Sequence, residues 1–346
     1  MKKKARTLIV LGAVLIVCIG AYIGVSVYNN NQAKKTAEET KATQIYSTGR
    51  GAPVNVSYTS GDKTLAFTLA DNTWYVKDNK DFPLDQAALT GIASTLQSLA
   101  AARTIDTPSA LSVYGLDKPQ YTLTAADAGG NALTLLIGAV NGSNYYAMTK
   151  DGTKVYTIDG TLIGDLKPDY LSMITLDTIP SITEATMTAL TVSSGKTSLT
   201  LDHHQNKDGS FTWFIVNGKT VTSADEFVLP VKSDKSTGKF ITDLVTGLSS
   251  AKFSSCADFK PASDVLKTYG LDAPKLTVKV DYTTTTGAGT LDQKTTASTV
   301  SLEVGTALSD GSGSYARLPG SNEINVLPAT VVTPLTDALA AMGSAI

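Results

Sequence analysis

Histidine, cysteine and tryptophan each occur only twice in the 346 residues, and charged side chains make up 17% of the chain. The two histidines, His203 and His204, are adjacent. Neighbours on a strand point to opposite faces, which is poor geometry for holding one metal ion, so both read as exposed strand-end residues. Cys18 lies in an apolar N-terminal run and Cys256 far downstream, so no intramolecular disulfide is expected. Cys256 has no basic neighbour closer than Lys252 and Lys260 to activate it, and reads as a half-buried small residue. No serine sits in a nucleophile elbow. Gly287-Ala288-Gly289 and Gly311-Ser312-Gly313 lack the lysine and helix of a phosphate loop and read as turns. With 29 basic against 31 acidic residues and no basic stripe outside the N-terminal tip, nucleic acid is not an expected partner. These absences imply no metal, no cofactor and no local catalytic motif. One enzyme class escapes them: a hydrolase built on two carboxylates roughly 5–10 Å apart in a cleft needs no local signature.

What is present begins at the N-terminus. Lys2, Lys3, Lys4 and Arg6 precede an uncharged stretch from Thr7 to Tyr28. At about 1.5 Å per residue that stretch spans roughly 33 Å, enough for a bilayer core of about 30 Å. The expected organisation is a cytoplasmic tip over 1–6, a transmembrane anchor over 7–28 and the rest outside the cell membrane, since basic residues stay inside. A lipoprotein signal ending at Cys18 is the alternative. Bulky Val17 and the apolar run beyond Cys18 favour the uncleaved anchor. Residues 29–50 follow as a polar stalk.

The remainder repeats one phrase. Tyr114-Gly115-Leu116-Asp117-Lys118-Pro119 returns as Tyr269-Gly270-Leu271-Asp272-Ala273-Pro274. The spacing of roughly 155 residues marks a duplicated domain rather than a solenoid. Each phrase follows a short helix-compatible segment, 108–113 and 262–268. With Tyr114 as C-cap, Gly115 takes the left-handed position, and Leu116 pairs with Leu111 in a Schellman ending; Gly270, Leu271 and Leu266 repeat this. Pro119 and Pro274 then bar further helix and open strands. A ligand-binding loop on Tyr and Asp is the competing reading.

Around each phrase the same order of elements is expected. Strands at 54–59, 64–69 and 73–76 lead to a helix opening at Pro83-Leu84-Asp85, with Leu89, Ile92, Leu96 and Leu99 on one face. Short strands at 120–125, 132–137, 144–149 and 154–158 follow the phrase, and turns this tight require an antiparallel meander. The second copy offers strands at 190–193, 198–203, 211–216, 275–282, 299–305, 314–318 and 323–326, with helices at 240–248 and 330–342. Thr283–Ala297 is an insertion, read as a long hairpin tip. The fold class is therefore α+β: two tandem repeats, 51–175 and 184–342, each a mainly antiparallel sheet with one longer and one or two short helices. Tyr145, Tyr146 and Tyr315 are candidates for lining a sugar or peptide groove, against the commoner packing role of strand aromatics.

These features resemble the bacterial family known as domain of unknown function 4340. The marks are Trp74 before a helix, the Tyr-Gly-Leu-Asp-x-Pro phrase, Ile137-Gly138, Tyr145-Tyr146 and Val155-Tyr156. In the second copy the tyrosine pair is reduced to Tyr315, Gly305 matches Gly138, and Asn325-Val326 replaces Val155-Tyr156. The resemblance implies a membrane-anchored extracytoplasmic protein, an accessory or ligand-binding subunit beside permease or other components of an ABC-type transporter. It implies no catalytic residues. A carboxylate-based envelope hydrolase and a purely structural envelope protein remain the alternatives.

Overall fold

The computed structural model describes residues 25–30, 44–47, 49–205, 207, 211–215 and 243–343. Cys18, the anchor stretch up to residue 24 and stalk residues 31–43 lie outside these, as do 216–242. Residues 25–30 are helical and exposed. Among the described residues no helix is long and apolar enough to cross a membrane.

The chain divides into two units, Met1–Met173 and Ile174–Ile346. The first holds β1 (Pro53–Ser60), β2 (Lys63–Ala70), β3 (Thr73–Val76), β4 (Arg103–Ile105), β5 (Tyr121–Asp127), β6 (Ala132–Asn141), β7 (Asn144–Thr149) and β8 (Val155–Asp159), in the sheet order β3-β2-β1-β5-β6-β7-β8-β4. The second holds β9 (Met187–Ser194), β10 (Thr197–Gln205), β11 (Phe211–Ile215), β12 (Ser255–Phe259), β13 (Leu276–Thr286), β14 (Lys294–Ala307), β15 (Gly313–Arg317) and β16 (Glu323–Pro328), in the order β11-β10-β9-β13-β14-β15-β16-β12. Strand for strand the two orders are the same, and every pairing is antiparallel. The α+β duplication read from the repeated phrase is a duplication of topology.

In each unit one sheet face is covered by helix. The helix Gln86–Gln97 starts at Asp85, whose carboxylate accepts the Ala87 N–H at 2.9 Å. Its expected apolar face is buried throughout, with Leu89, Ile92 and Leu96 at 0% exposure and Leu99 at 5%. Each such side chain contributes about 1.5–3 kcal/mol on leaving water. On the strands, Val56, Tyr58, Leu65, Phe67, Leu123 and Leu135, the alternate residues of β1, β2, β5 and β6, are likewise all at or below 1% exposure. The edge of the sheet is closed by a side chain: the Gln86 amide accepts the Trp74 N–H at 2.8 Å and donates to the Trp74 carbonyl at 2.9 Å. In the second unit helical residues 243–249 and the helix Ala329–Gly343 supply Leu244, Leu248, Val331 and Leu335 to the core around Leu190, Leu201, Val278 and Leu302.

Several expectations are corrected. The short helices before each phrase are single 3-10 turns, Leu111–Tyr114 and Val265–Lys267. Strands β4 and β12, at the sheet edge, were not foreseen; three residues of β4 carry too little alternation to register. The stalk does not reach residue 50 as a free spacer: Ile45 N–H donates to the Leu99 carbonyl at 2.8 Å, and Ile45 and Tyr46 are buried at 8% and 0%. Asn325-Val326 takes the register of Tyr156-Thr157, one residue from the match expected, because Tyr315 faces Val326 as Tyr146 faces Thr157.

Candidate functional site

The repeated phrase folds as a backbone clasp. Gly115 has φ +66° and Gly270 φ +67°, where a Cβ is strained. The Leu116 N–H donates to the Leu111 carbonyl at 3.0 Å and the Gly115 N–H to Ser112 at 3.2 Å. Leu271 to Leu266 at 2.9 Å and Gly270 to Lys267 at 3.1 Å repeat the pattern. These are the Schellman bonds, made on a 3-10 turn. The apolar half of that motif differs from expectation. Leu111 is 37% exposed, and the buried Leu116 packs instead in a small cluster with Tyr114, Met148 and Val155. That cluster covers part of the sheet face opposite the helix.

The clasp closes on the β6 and β14 bulges. Register slips between Ile137 and Val140 and between Val304 and Ala307, and Gly138 and Gly305 sit in those slips. The Thr306 N–H donates to the Tyr269 carbonyl at 2.8 Å. The clasp tyrosines pack edge-on against strand tyrosines: Tyr114 on Tyr146 at 5.0 Å and 68°, Tyr269 on Tyr315 at 4.8 Å and 69°. The Tyr269 hydroxyl donates to the Asp258 carboxylate at 3.1 Å, and burial followed by that carboxylate pushes its pKa up to about 12. Tyr145 belongs elsewhere: it alternates with Tyr146 along β7 and so lies on the other sheet face, across from Val140 and Ile158. Asp117 and Asp272 are exposed, and Pro119 and Pro274 half-buried at the strand entries.

Beside the clasp the same sheet face stays open. In the first unit it forms a hollow of about 330 Å³ lined by Asn55, Ser57, Thr68, Lys77, Thr124 and Ala126. Hydroxyls and amides bridge across strands there, Thr68 to Asn55 at 3.0 Å and Thr124 to Thr134 at 3.1 Å. In the second unit Thr191 with Thr200 at 3.3 Å and Ser193 with Ser198 at 2.9 Å line the corresponding face. Lys279 faces Thr191 across the β9–β13 pair as Thr124 faces Ser57. A further hollow of about 400 Å³ opens between Lys63–Leu65 and Asp169–Leu171. The signal for the open face was in the sequence, since outward strand positions carry Ser, Thr and Asn where a purely solvated face favours Lys and Glu. Alternation alone did not say which outward positions a loop would cover.

The remaining reactive groups are built into packing. His203 is not an exposed strand end: its ring stacks on Trp213 at 4.2 Å and 24°, and its Nδ1–H donates to the Met187 carbonyl at 2.6 Å. By register His203 stands where Leu69 stands in the first unit, which explains the apolar stacking. The Cys256 thiol is buried, and burial, with Glu323 nearby, pushes its pKa up to about 12. The Glu323 carboxylate, 4% exposed, accepts the Asp177 N–H at 2.9 Å and the Asn325 amide at 3.1 Å. Among the described residues no cluster of three or more His, Cys, Asp or Glu is placed to hold a metal ion.

Compared with known families, the chain matches the model described as domain of unknown function (DUF4340) twice, over residues 74–265 and 237–341. Each match contains one copy of the phrase. No curated protein and no solved structure matches the chain.

Proposed function

For this chain, which belongs to the DUF4340 family, we propose the role of a membrane-tethered, extracytoplasmic accessory or ligand-binding subunit of an ABC-type transport system, one that binds without transforming. The single observation that carries the reading is the open, hydroxyl-lined sheet face beside the clasp, present in both units and hollowed in the first. A pleated surface of short Ser, Thr and Asn side chains on a rigid sheet offers many donors and acceptors at fixed spacing. That suits recognition of a polar, extended ligand or a partner loop, and the hollow has the size of a small-ligand site. Attachment to the membrane is supported by Lys2, Lys3, Lys4 and Arg6 followed by the uncharged run to Tyr28.

The test is a mild-detergent purification of the full chain through a C-terminal tag, followed by mass spectrometry. A permease and its ATPase recovered in stoichiometric amount are expected. Ser57→Tyr together with Thr124→Tyr fills the hollow and is expected to reduce that recovery at least tenfold while leaving the melting profile in place. Recovery of the chain alone, or unchanged recovery with the filled hollow, overturns the reading.

A further inference from the structure

The β13–β14 hairpin is longer than its counterpart in the first unit. In the first unit β5 and β6 turn over directly after Ala126 and Ala132. In the second, pairing continues to Thr286 opposite Lys294, and both strands are exposed from Thr284 to Ala297. Cross-strand hydroxyls hold this arm, Thr285 to Thr295 at 3.1 Å, and Leu291 at its tip is fully exposed. Two strands extended into water bury little and are marginal alone, so the arm's order draws on the sheet at its base.

Which backbone groups face outward follows from one hydrogen bond. The Thr283 N–H donates to the Thr186 carbonyl at 2.8 Å, on the side away from β14. Alternation then turns Thr284 and Thr286 toward β14, so Lys294, Thr296, Ser298 and Val300 use their backbone groups on β13. Thr295, Ala297, Thr299 and Ser301 point theirs the other way. The first unit agrees: Thr134, which faces Thr124 as Ser301 faces Lys279, gives its carbonyl to the Lys150 N–H at 2.9 Å on the β7 side. In the second unit β15 joins β14 only from Glu303 onward. Among the described residues nothing pairs with the outward edge of β14 before that point.

This edge has none of the usual protection. It holds no proline, no bulge and no charge between Lys294 and Glu303. It is also complementary to itself. Two antiparallel copies centred on Ser298 set Thr295 opposite Ser301 and Ala297 opposite Thr299, so every outward N–H and C=O meets a partner. Lys294 falls opposite Leu302, so no like charges meet, and β14 starts opposite the point just before the other copy's β15 joins.

We infer that the outward edge of β14 is a self-association surface, on which a second copy of this chain adds its own β14 antiparallel about a two-fold axis through Ser298. One strand pair is small beside the roughly 1,200–2,000 Å² of a stable interface. The dimer is therefore weak and concentration-dependent, and trapping is the means to see it.

The test uses the full chain in detergent with Cys18 and Cys256 replaced by serine. Facing residues of a non-hydrogen-bonded pair have Cα atoms about 4.5 Å apart, within reach of a disulfide. Ser298→Cys is expected to form a disulfide dimer under mild oxidation at least tenfold faster than Thr296→Cys or Val300→Cys, whose symmetry mates are different residues. Ala297→Pro removes an outward N–H and spares the β13 pairing, so added to Ser298→Cys it is expected to abolish that dimer with the melting profile unchanged. Equal trapping at the three positions, no trapping at all, or trapping that survives Ala297→Pro overturns the inference. None of these outcomes depends on whether a transporter co-purifies.

Discussion

Gly138 lies against the backbone of Tyr114 so closely that a Cβ there would come within 2.2 Å of the Tyr114 carbonyl oxygen; Gly305 repeats the contact on Tyr269 at 2.1 Å. The phrase and the bulge glycine of β6 or β14 are two halves of one clasp. Backbone cannot yield as a flexible side chain does, so the cost of filling that space falls on the loop.

Gly138→Ala is accordingly expected to destabilise the first unit by about 1–3 kcal/mol through overpacking. Gly115→Ala is expected to cost roughly 1–2 kcal/mol for its left-handed conformation, with further crowding on Ala139 N at 2.9 Å. Gly91 lies inside the helix Gln86–Gln97, where an added methyl would have nothing within 4 Å, and Gly91→Ala should stabilise by roughly 0.5–1 kcal/mol. Denaturant midpoints of the three variants check the ordering, and a Gly138→Ala protein as stable as Gly91→Ala contradicts the clasp.

Leu136 faces Met148 in the first unit, and in the same register Glu303 faces Arg317, bonded at 2.6 Å with about a fifth of each side chain exposed. Arg317 also donates to the Leu271 carbonyl at 3.4 Å. Glu303→Leu alone leaves the guanidinium half-buried without its carboxylate and is expected to cost roughly 1.5–3 kcal/mol. Glu303→Leu with Arg317→Met installs the first unit's apolar pair and is expected to return to within about 1 kcal/mol of the parent. A double-mutant cycle by chemical denaturation measures both, and additive losses refute the equivalence of the two sites.

Asp127 ties the first strand to the β5–β6 turn. The Asn131 amide at 2.9 Å, then the N–H groups of Gly51 and Asn131, hold its carboxyl down at about 2. A carboxyl lowered from an unfolded value of about 3.9 adds stability that is complete above that value and is lost as pH falls toward 2. Melting temperatures of the parent and Asp127→Asn should therefore differ by a constant amount above pH 5 and converge between about pH 4 and 2. Parallel profiles through that window contradict the assignment.

Cys256 has its pKa raised from 9.0 to about 12 by burial and by Glu323, so its thiolate fraction near neutral pH is about a thousandth of that of a free thiol. With Cys18 replaced by serine, iodoacetamide at pH 8 is expected to label the native protein at least a hundredfold more slowly than the urea-unfolded one. Comparable rates would mean that the β12–β16 edge opens readily.

Much of the first unit was legible because its signals are local. Leu89, Ile92, Leu96 and Leu99 announce a helix face, Asp85 its start, and alternation in β1, β2 and β5 to β8 the strands. What stayed hidden is non-local. The pairing of β4 beside β8 and β12 beside β16, the burial of Tyr46, and the stacking of His203 on Trp213 join segments whose proximity no spacing encodes. The open sheet face likewise required knowing that the clasp covers β4 and β6 to β8.

The amino-acid order alone established that a segment was duplicated and that each copy alternates strand, helix and meander, because periodicity and glycine placement act over a few residues. It also established the uncharged N-terminal run. Only the folded chain decided which glycine meets which carbonyl, that Leu136 and Met148 are exchanged for Glu303 and Arg317, and that the second hairpin carries an uncovered edge. Those depend on residues tens of positions apart meeting at van der Waals distance, and packing of that kind is a property of the whole sheet.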